Sequence, residues 1–189
     1  METLTGKAHK IDVCPWQCVF LIDNFARRLL HDPVRLFKPY VKPGMTALDI
    51  GCGGGFTTLG IAALTGKEGR VISTDLQQQM LDMVRKKAEK RKVGTPITYH
   101  RCSPSGIGLN EKVDFALAFW MAHEVPDLAS FLQEVYNLLN PGGVFLIAEP
   151  AIHVSAQAFA ETIEQAEKTG FTVKERPRVA ISHAVVLAR

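Results

Sequence analysis

The feature that most constrains the fold is a glycine-rich turn between a strand pattern and a helix pattern. It reads Asp49-Ile50-Gly51-Cys52-Gly53-Gly54-Gly55, with the apolar run Thr46–Ile50 leading into it and a predicted helix over 56–64 behind it. Glycine allows a tight turn and a close ligand approach, and the first amides of the helix have no partner within the helix. The turn therefore predicts a nucleotide-like ligand at the carboxyl ends of parallel strands.

The rest of the chain alternates strand and helix patterns. Strands are predicted at Thr46–Ile50, Arg70–Asp75, Ile97–Arg101, Val113–Phe119, 144–149, 171–175 and 179–187, and helices at 56–64, 77–92, 128–139 and Ala156–Thr169. Only a short turn at Pro177 separates the last two strands, so they must pair antiparallel. The pattern predicts an α/β fold, a Rossmann-like three-layer sandwich whose mostly parallel seven-stranded sheet ends in a reversed C-terminal hairpin.

Length and composition fit one globular domain of 189 residues. We expect it at 45–189, after an N-terminal helical segment, 1–44, that either caps the site or simply packs against the sheet. The apolar face of that segment is Val19, Phe20, Ile22, Phe25, Leu29 and Leu30. No apolar run approaches the roughly 20 residues that span a bilayer, and the N-terminus lacks a signal-peptide pattern. We therefore expect a cytoplasmic protein that does not engage a membrane.

The spacing of the glycines distinguishes between cofactors. A dinucleotide fingerprint requires a small residue where Phe56 stands, and the Gly-Lys-Ser/Thr of a P-loop is absent. Asp75 closes the second predicted strand, where a carboxylate can accept two hydrogen bonds from a ribose diol. Together the turn and Asp75 indicate a nucleoside-containing cofactor other than a dinucleotide.

Three stretches carry a resemblance to a known family. They are Leu48-Asp49-Ile50-Gly51-Cys52-Gly53-Gly54-Gly55, Val71-Ile72-Ser73-Thr74-Asp75 and Leu138-Leu139-Asn140-Pro141-Gly142-Gly143-Val144. With the reversed hairpin, they resemble a class I S-adenosylmethionine-dependent methyltransferase of the methyltransferase 11 or UbiE-like group. The resemblance covers about 40–150 in its motifs. It implies S-adenosyl-L-methionine as cofactor, S-adenosyl-L-homocysteine as product and a small-molecule methyl acceptor.

The resemblance also implies which residues bind the cofactor. They are Asp49, Gly51, Cys52, Gly53 and Gly55 in the first turn, Asp75 and Leu76 after the second strand, Cys102 and Ser103 after the third, and Phe119 at the end of the fourth. Asp75 would take the ribose hydroxyls and Leu76 would pack on adenine. The family often carries an acidic residue for the adenine amine after the third strand, so here Ser103 or a backbone group must substitute.

The acceptor pocket is expected above the end of the fourth strand. Its predicted residues are Trp16, Phe20, Trp120, Met121 and Glu149, with His123 as the candidate catalytic residue. An imidazole titrates near neutrality and can serve as a base, although a structural role for His123 is equally open. A His-Glu-x-x-His zinc helix is excluded because Asp127 stands where its second histidine belongs, and no metal is expected there.

Two further features allow more than one interpretation. Cys14 and Cys18 share one helical face and could bind a soft metal or arsenic, but two small buried side chains are the commoner arrangement. The basic run at 85–92 lies at a helix C-terminus, where cations are favourable, and no aromatic platform accompanies it. We therefore expect no nucleic-acid partner, and no pattern indicates an oligomeric state.

Two alternatives to a methyltransferase remain at this point. One is a non-catalytic S-adenosylmethionine-binding protein, since methyl transfer demands no universal catalytic residue. The other is an NAD-type Rossmann oxidoreductase, which Phe56 and the reversed hairpin disfavour.

Overall fold

A computed structural model of the chain describes residues 15–18 and 30–189. The strands are β1 Thr46–Ile50, β2 Arg70–Asp75, β3 Ile97–Arg101, β4 Val113–Phe119, β5 Leu139–Pro150, β6 Thr172–Glu175 and β7 Ser182–Ala188. The helices are α1 Pro33–Phe37, α2 Phe56–Thr65, α3 Gln78–Lys90, α4 Leu128–Leu138 and α5 Ala156–Thr169, with short 3₁₀ helices at Trp16–Cys18 and Ala122–Glu124.

The strands form one seven-stranded sheet in the order β3-β2-β1-β4-β5-β7-β6. Strands β1 to β5 pair in parallel, whereas β7 lies antiparallel between β5 and β6. The predicted mostly parallel sheet with a reversed C-terminal hairpin is confirmed. The strand order reverses between β1 and β4, and in open α/β sheets ligands bind at the carboxyl ends of the strands beside this switch point.

Two apolar cores lie on opposite faces of the sheet. Successive strand residues point to opposite faces, so Ala47 contributes to one core and Leu48 to the other. The Ala47 side packs against Phe37 of α1 and Ile61 of α2. The Leu48 side packs against helices α4 and α5, for example through Phe131. The sheet is thus the middle layer of three, as the sequence predicts.

The segment 140–143 differs from its predicted role as the turn that ends a helix. Helix α4 ends at Leu138 and β5 begins at Leu139, which pairs with Val113. Residues 140–143 form an irregularity in the ladder between β4 and β5. The side chain of the asparagine at 140 donates to the Asp114 carboxylate at 2.7 Å, and the carbonyl of Gly143 accepts from the amide of Arg189. The prediction was wrong because these long-range partners extend the strand beyond its apolar run.

The described part of the N-terminal segment packs on the α/β unit. Asp32 caps α1 by accepting from the amides of Val34 and Arg35. A β-carbon on Gly60 would lie only 2.5 Å from Cβ of Pro33, so α1 and α2 are in close contact. Of the predicted apolar face at 19–30, only Leu30 lies among the described residues. Within 15–18 and 30–189, no helix is both long and apolar enough to cross a membrane.

Candidate active site

Asp49 links the end of β1 to the start of α2. Its side chain is buried, and Oδ2 accepts hydrogen bonds from the hydroxyls of Thr57 at 2.8 Å and Thr58 at 2.6 Å. Both threonines lie in the first turn of α2, where a negative charge is favoured by the helix dipole. Asp49 therefore fixes the two ends of the glycine turn, and its predicted contact with a cofactor stays a prediction.

Gly51 and Gly53 adopt backbone conformations that favour glycine, with φ of 66° and 51°. A β-carbon on Gly51 would lie 2.8 Å from Cγ of Met121, so the turn after β1 touches the loop after β4. A β-carbon on Gly53 would meet no atom within 4 Å. The turn is thus supported on one side and open on the other, a cradle that fits a ligand approaching the backbone.

Asp75 joins the end of β2 to the same turn. Its side chain is 7% exposed; Oδ2 accepts from the amide of Gly53 at 3.1 Å and Oδ1 from the amide of Gln77 at 2.9 Å. Burial raises the pKa of the Asp75 carboxyl, and these backbone donors oppose that rise. Each carboxylate oxygen has a second lone pair, so the group can also accept from a ribose diol.

Cys52 and Cys102, which follow β1 and β3, have thiols whose neutral form is favoured. Cys52 is buried within the turn, and burial followed by the nearby Asp49 raises the pKa of its thiol well above the ordinary value. Cys102 follows β3 and donates its amide to the carbonyl of Asp75; burial raises the pKa of its thiol to about 11. Neither cysteine is a nucleophile near neutral pH, so both supply packing and shape.

The loop after β3 is fixed by partners that the sequence did not reveal. Ser103 bonds Ser105 through their hydroxyls at 2.8 Å, within a tight turn. Glu134 on α4 accepts from the amides of Ile107 at 2.8 Å and of the next residue at 2.7 Å, and His100 bonds the carbonyl of Ile107 at 2.7 Å. The Ser103 hydroxyl is thus already used locally, which favours a backbone group for adenine. Leu76 lies half-buried beside this loop.

The carboxyl ends of the parallel strands form one edge of the sheet, called the carboxyl edge from here on. The half of this edge that follows β4 and β5 begins at Phe119 and Trp120. Phe119 is buried, and its ring lies edge-on to Phe37 with centroids 6.4 Å apart. Trp120 is half-buried, and its Nε1 donates to the hydroxyl of Ser182 at 2.9 Å. Phe119 therefore packs in the core, and its predicted contact with the cofactor stays a prediction.

His123 and Glu149 form a pair at the end of β4 and β5. Glu149 is buried and accepts from the amide of Ala122 at 2.7 Å and from Nδ1 of His123. The His123 side chain is 30% exposed, and its ring stacks on His153 with centroids 6.2 Å apart. The hydrogen bond to Glu149 raises the pKa of the imidazole, against the opposing effect of burial. Two of the predicted residues, His123 and Glu149, are thus brought together, whereas the Met121 side chain lies against Gly51.

Trp16, predicted in the acceptor pocket, lies in another part of the edge. The amide of Trp16 donates to Oε1 of Gln77 at 3.0 Å, two residues beyond Asp75, so Trp16 lies on the cofactor side of the edge. Phe20, Cys14 and the side chain of Cys18 fall outside the described residues. Within 15–18 and 30–189, no cluster of three or more potential metal ligands occurs.

Comparison with known proteins establishes the family. The family model described as the methyltransferase domain matches residues 48–147, more than half of the chain. The chain belongs to this methyltransferase domain family. The resemblance inferred from the sequence is therefore confirmed, and nothing in the comparisons supports an NAD-type oxidoreductase or a non-catalytic binding protein.

Individual relatives agree with this assignment. The chain is 30% identical to a ubiquinone biosynthesis O-methyltransferase of Paramagnetospirillum magneticum over 81% of this chain and 57% of that protein. It is also 30% identical to a demethylmenaquinone methyltransferase of Desulfitobacterium hafniense, over 79% of this chain and 58% of the relative. This methyltransferase domain therefore spans less than two thirds of the length of these relatives.

A solved structure confirms the fold. The S-adenosylmethionine-dependent methyltransferase from Aquifex aeolicus superposes with a TM-score of 0.83, at 23% identity, over 93% of this chain and 98% of that chain. The described glycine cradle and the Asp75 carboxylate fit S-adenosylmethionine, the cofactor of this methyltransferase family. We therefore treat the carboxyl edge as a candidate methyl-transfer site, with a cofactor half after β1 to β3 and an acceptor half that follows β4 and β5 and precedes β7.

Proposed function

We propose that this methyltransferase domain transfers a methyl group from S-adenosylmethionine to a hydroxyl of a small, largely apolar aromatic acceptor. The observation that carries the proposal is the contact between Gly51 and Met121. Through this contact the glycine turn at 49–55, called the cofactor turn from here on, lies directly beside the loop that holds His123. The relatives named for ubiquinone and demethylmenaquinone support an acceptor of quinone-like chemistry.

The cofactor half would hold S-adenosylmethionine through Asp75, the backbone of the glycine turn and the loop after β3. S-adenosylmethionine, when bound, supplies a methyl group on a positively charged sulfur. In-line displacement needs an aligned nucleophile, so the main work of the chain is positioning. Asp49 contributes by fixing the turn through Thr57 and Thr58.

His123 would accept the proton that the hydroxyl loses. Its Nδ1 bonds the Glu149 carboxylate, which orients the ring and leaves Nε2 as the site that takes up a proton when the ring is neutral. During transfer, the bond between the acceptor oxygen and the methyl carbon would form as the bond between that carbon and the sulfur of the cofactor breaks. The proton moves to Nε2, and the pair of charges on His123 and Glu149 stabilises it.

A cytoplasmic location belongs to the same proposal. Cys52 and Cys102 are both free thiols, and a reducing compartment keeps thiols in that form. The basic run at the end of α3 has partners of its own, since Arg85 lies over the ring of Tyr99 and Lys87 binds the carbonyl of Gly54. These contacts favour a structural use of the run over binding to nucleic acid.

The test is transfer of labelled methyl from S-adenosylmethionine to 2,3-dihydroxynaphthalene and to its dimethyl ether, which lacks a hydroxyl. We expect labelled product only from the diol. His123→Asn keeps a donor toward Glu149 but removes the proton acceptor, so we expect kcat to fall by about 100-fold or more. Labelling of neither compound, together with labelling of tRNA or protein, would overturn the small-molecule assignment.

A further inference from the structure

Trp120 has a backbone conformation that is rare for a residue with a side chain. Its φ is 63°, in the left-handed region, directly after β4. The amide nevertheless makes a 2.7 Å hydrogen bond to the carbonyl of Ala148 in β5. Such a conformation persists only where surrounding contacts determine it, and residues of this kind concentrate at functional sites.

Several contacts hold the Trp120 ring. Its Nε1 donates to the hydroxyl of Ser182 at 2.9 Å, and this hydroxyl donates to the carbonyl of Ala180 at 3.0 Å. His31, which is fully buried, binds the same carbonyl through Nε2 at 2.8 Å. The His31 ring then meets Trp120 edge-on, with centroids 5.3 Å apart at 90°. We call His31, Ala180 and Ser182 the Trp120 clamp.

The surroundings of the clamp are apolar. Ile181 lies between two clamp residues and is 52% exposed, and its carbonyl accepts from the amide of Ala151 at 2.9 Å. The next residue of that loop, Ile152, is 81% exposed. On the other side, Met121 follows Trp120 and contacts Gly51 of the cofactor turn. Trp120 is thus linked to the cofactor turn through Met121 and to two exposed isoleucines through Ser182.

We infer that Trp120 is a specificity-determining wall of the acceptor site, set before binding by the Trp120 clamp, and that it selects a flat, apolar ring. An indole held in one orientation offers a large apolar surface without the entropic cost of ordering it on binding. The inference rests on the proposed function, because it requires an acceptor beside the cofactor turn.

Binding is measured by fluorescence, since the chain has only two tryptophans. 2,3-Dihydroxynaphthalene is titrated into the unmodified protein saturated with S-adenosylhomocysteine, and into Trp16→Phe, in which Trp120 is the sole tryptophan, so that the quenching is assigned to Trp120. We expect saturable quenching. Adding Ser182→Ala should weaken the apparent Kd about fivefold, as expected for loss of one partly buried hydrogen bond, and Ser182→Thr should restore it. The matched control is Thr172→Ala, which removes a hydroxyl from the same hairpin.

The same variants separate a specificity role from a structural one. In the methyl-transfer assay, Ser182→Ala should raise the KM for 2,3-dihydroxynaphthalene and leave kcat and the Kd for S-adenosylhomocysteine within about twofold. Absence of saturable quenching, an unchanged Kd in Ser182→Ala, or equal weakening of cofactor binding would overturn the inference. If the unmodified protein does not bind S-adenosylhomocysteine, the proposed function would be overturned instead.

Discussion

The two halves of the carboxyl edge are built in different ways. In the cofactor half, the decisive contacts are made by the backbone: Asp75 accepts from two amides, and Gly51 and Gly53 provide the turn. In the acceptor half, side chains from distant parts of the chain bind each other, as His123 binds Glu149 and Trp120 binds Ser182. The first half depends on backbone conformation and backbone donors, and the second on contacts between side chains.

This difference has a functional consequence. A backbone cradle binds through groups that every residue carries, whereas a wall of side chains can change with the acceptor. Substitutions in the cofactor half should therefore alter cofactor binding, and substitutions in the acceptor half should alter turnover or acceptor affinity. Four variants test the division.

The largest effect is expected from Gly51→Ala. The new β-carbon would lie 2.8 Å from Cγ of Met121 at a φ of 66°, so the turn is strained and either it or Met121 must shift. We expect the Kd for S-adenosylhomocysteine to rise about 100-fold, measured by calorimetry. Gly44→Ala is the matched control, because Gly44 has a φ of 85° with no atom within 4 Å and lies in the turn before β1.

Gly44→Ala should lower the free energy of unfolding by about 1 kcal/mol and leave cofactor binding unchanged. Equal losses of cofactor binding in the two glycine variants would show that backbone strain alone is responsible, and would remove the special role of the contact between Gly51 and Met121.

Asp75→Asn comes next. The side-chain carbonyl of the new asparagine can still accept from one backbone donor. The side chain loses its negative charge and one acceptor oxygen. We expect the Kd for S-adenosylhomocysteine to rise about 30-fold, equivalent to about 2 kcal/mol. Asp114→Asn is the control: Asp114 also joins strands, through the amide of Thr46 at 2.9 Å, but it lies at the amino end of β4. A cofactor Kd that is unchanged in Asp75→Asn would contradict the assignment of the ribose site.

The effect of Glu149→Gln on the pH dependence of kcat/KM tests the acceptor half. Glu149 raises the pKa of His123, and Glu124 adds to this rise while burial opposes it; His153 stacks on the same ring. Because a neutral ring accepts the proton, kcat/KM should increase with pH through that pKa. Removing the charge of Glu149 should move this acid limb to lower pH and reduce the plateau about tenfold.

The pH dependence of the free energy of unfolding gives a second measure of the interaction between His123 and Glu149. The folded-state pKa of His123 lies above its ordinary value of 6.5, so the pair's contribution is full below pH 6.5 and is lost as pH rises through the raised pKa. Glu149→Gln should therefore destabilise the protein more at pH 6 than at pH 9. The control Glu124→Gln should shift the acid limb less. A pH profile unchanged in Glu149→Gln would exclude His123 as the proton acceptor.

The smallest effect is expected from Lys87→Met. Lys87 on α3 donates to the carbonyl of Gly54 at 2.7 Å and so supports the glycine turn from outside the site. We expect the Kd for S-adenosylhomocysteine to rise about threefold, as for one partly exposed hydrogen bond. Lys86→Met removes an exposed neighbouring charge and should leave the Kd unchanged. An identical effect in both variants would indicate a general loss of positive charge.

The same division explains what could be predicted from the sequence. Strands β1 to β4 have the predicted bounds, because each is a short segment that carries β-branched or aromatic residues and ends in a turn. The glycine turn and Asp75 were found because their chemistry depends on local spacing. His31 and Ser182 were not singled out, since each gains its role from a partner far along the chain. The glutamate at 134 was missed for the same reason.

The most direct test of the central claim is calorimetric titration of the unmodified protein with S-adenosylhomocysteine and, separately, with NAD. The account predicts one site that binds S-adenosylhomocysteine with a micromolar or tighter Kd, weakened by Asp75→Asn, and no heat of binding with NAD. Micromolar binding of NAD without binding of S-adenosylhomocysteine would contradict it.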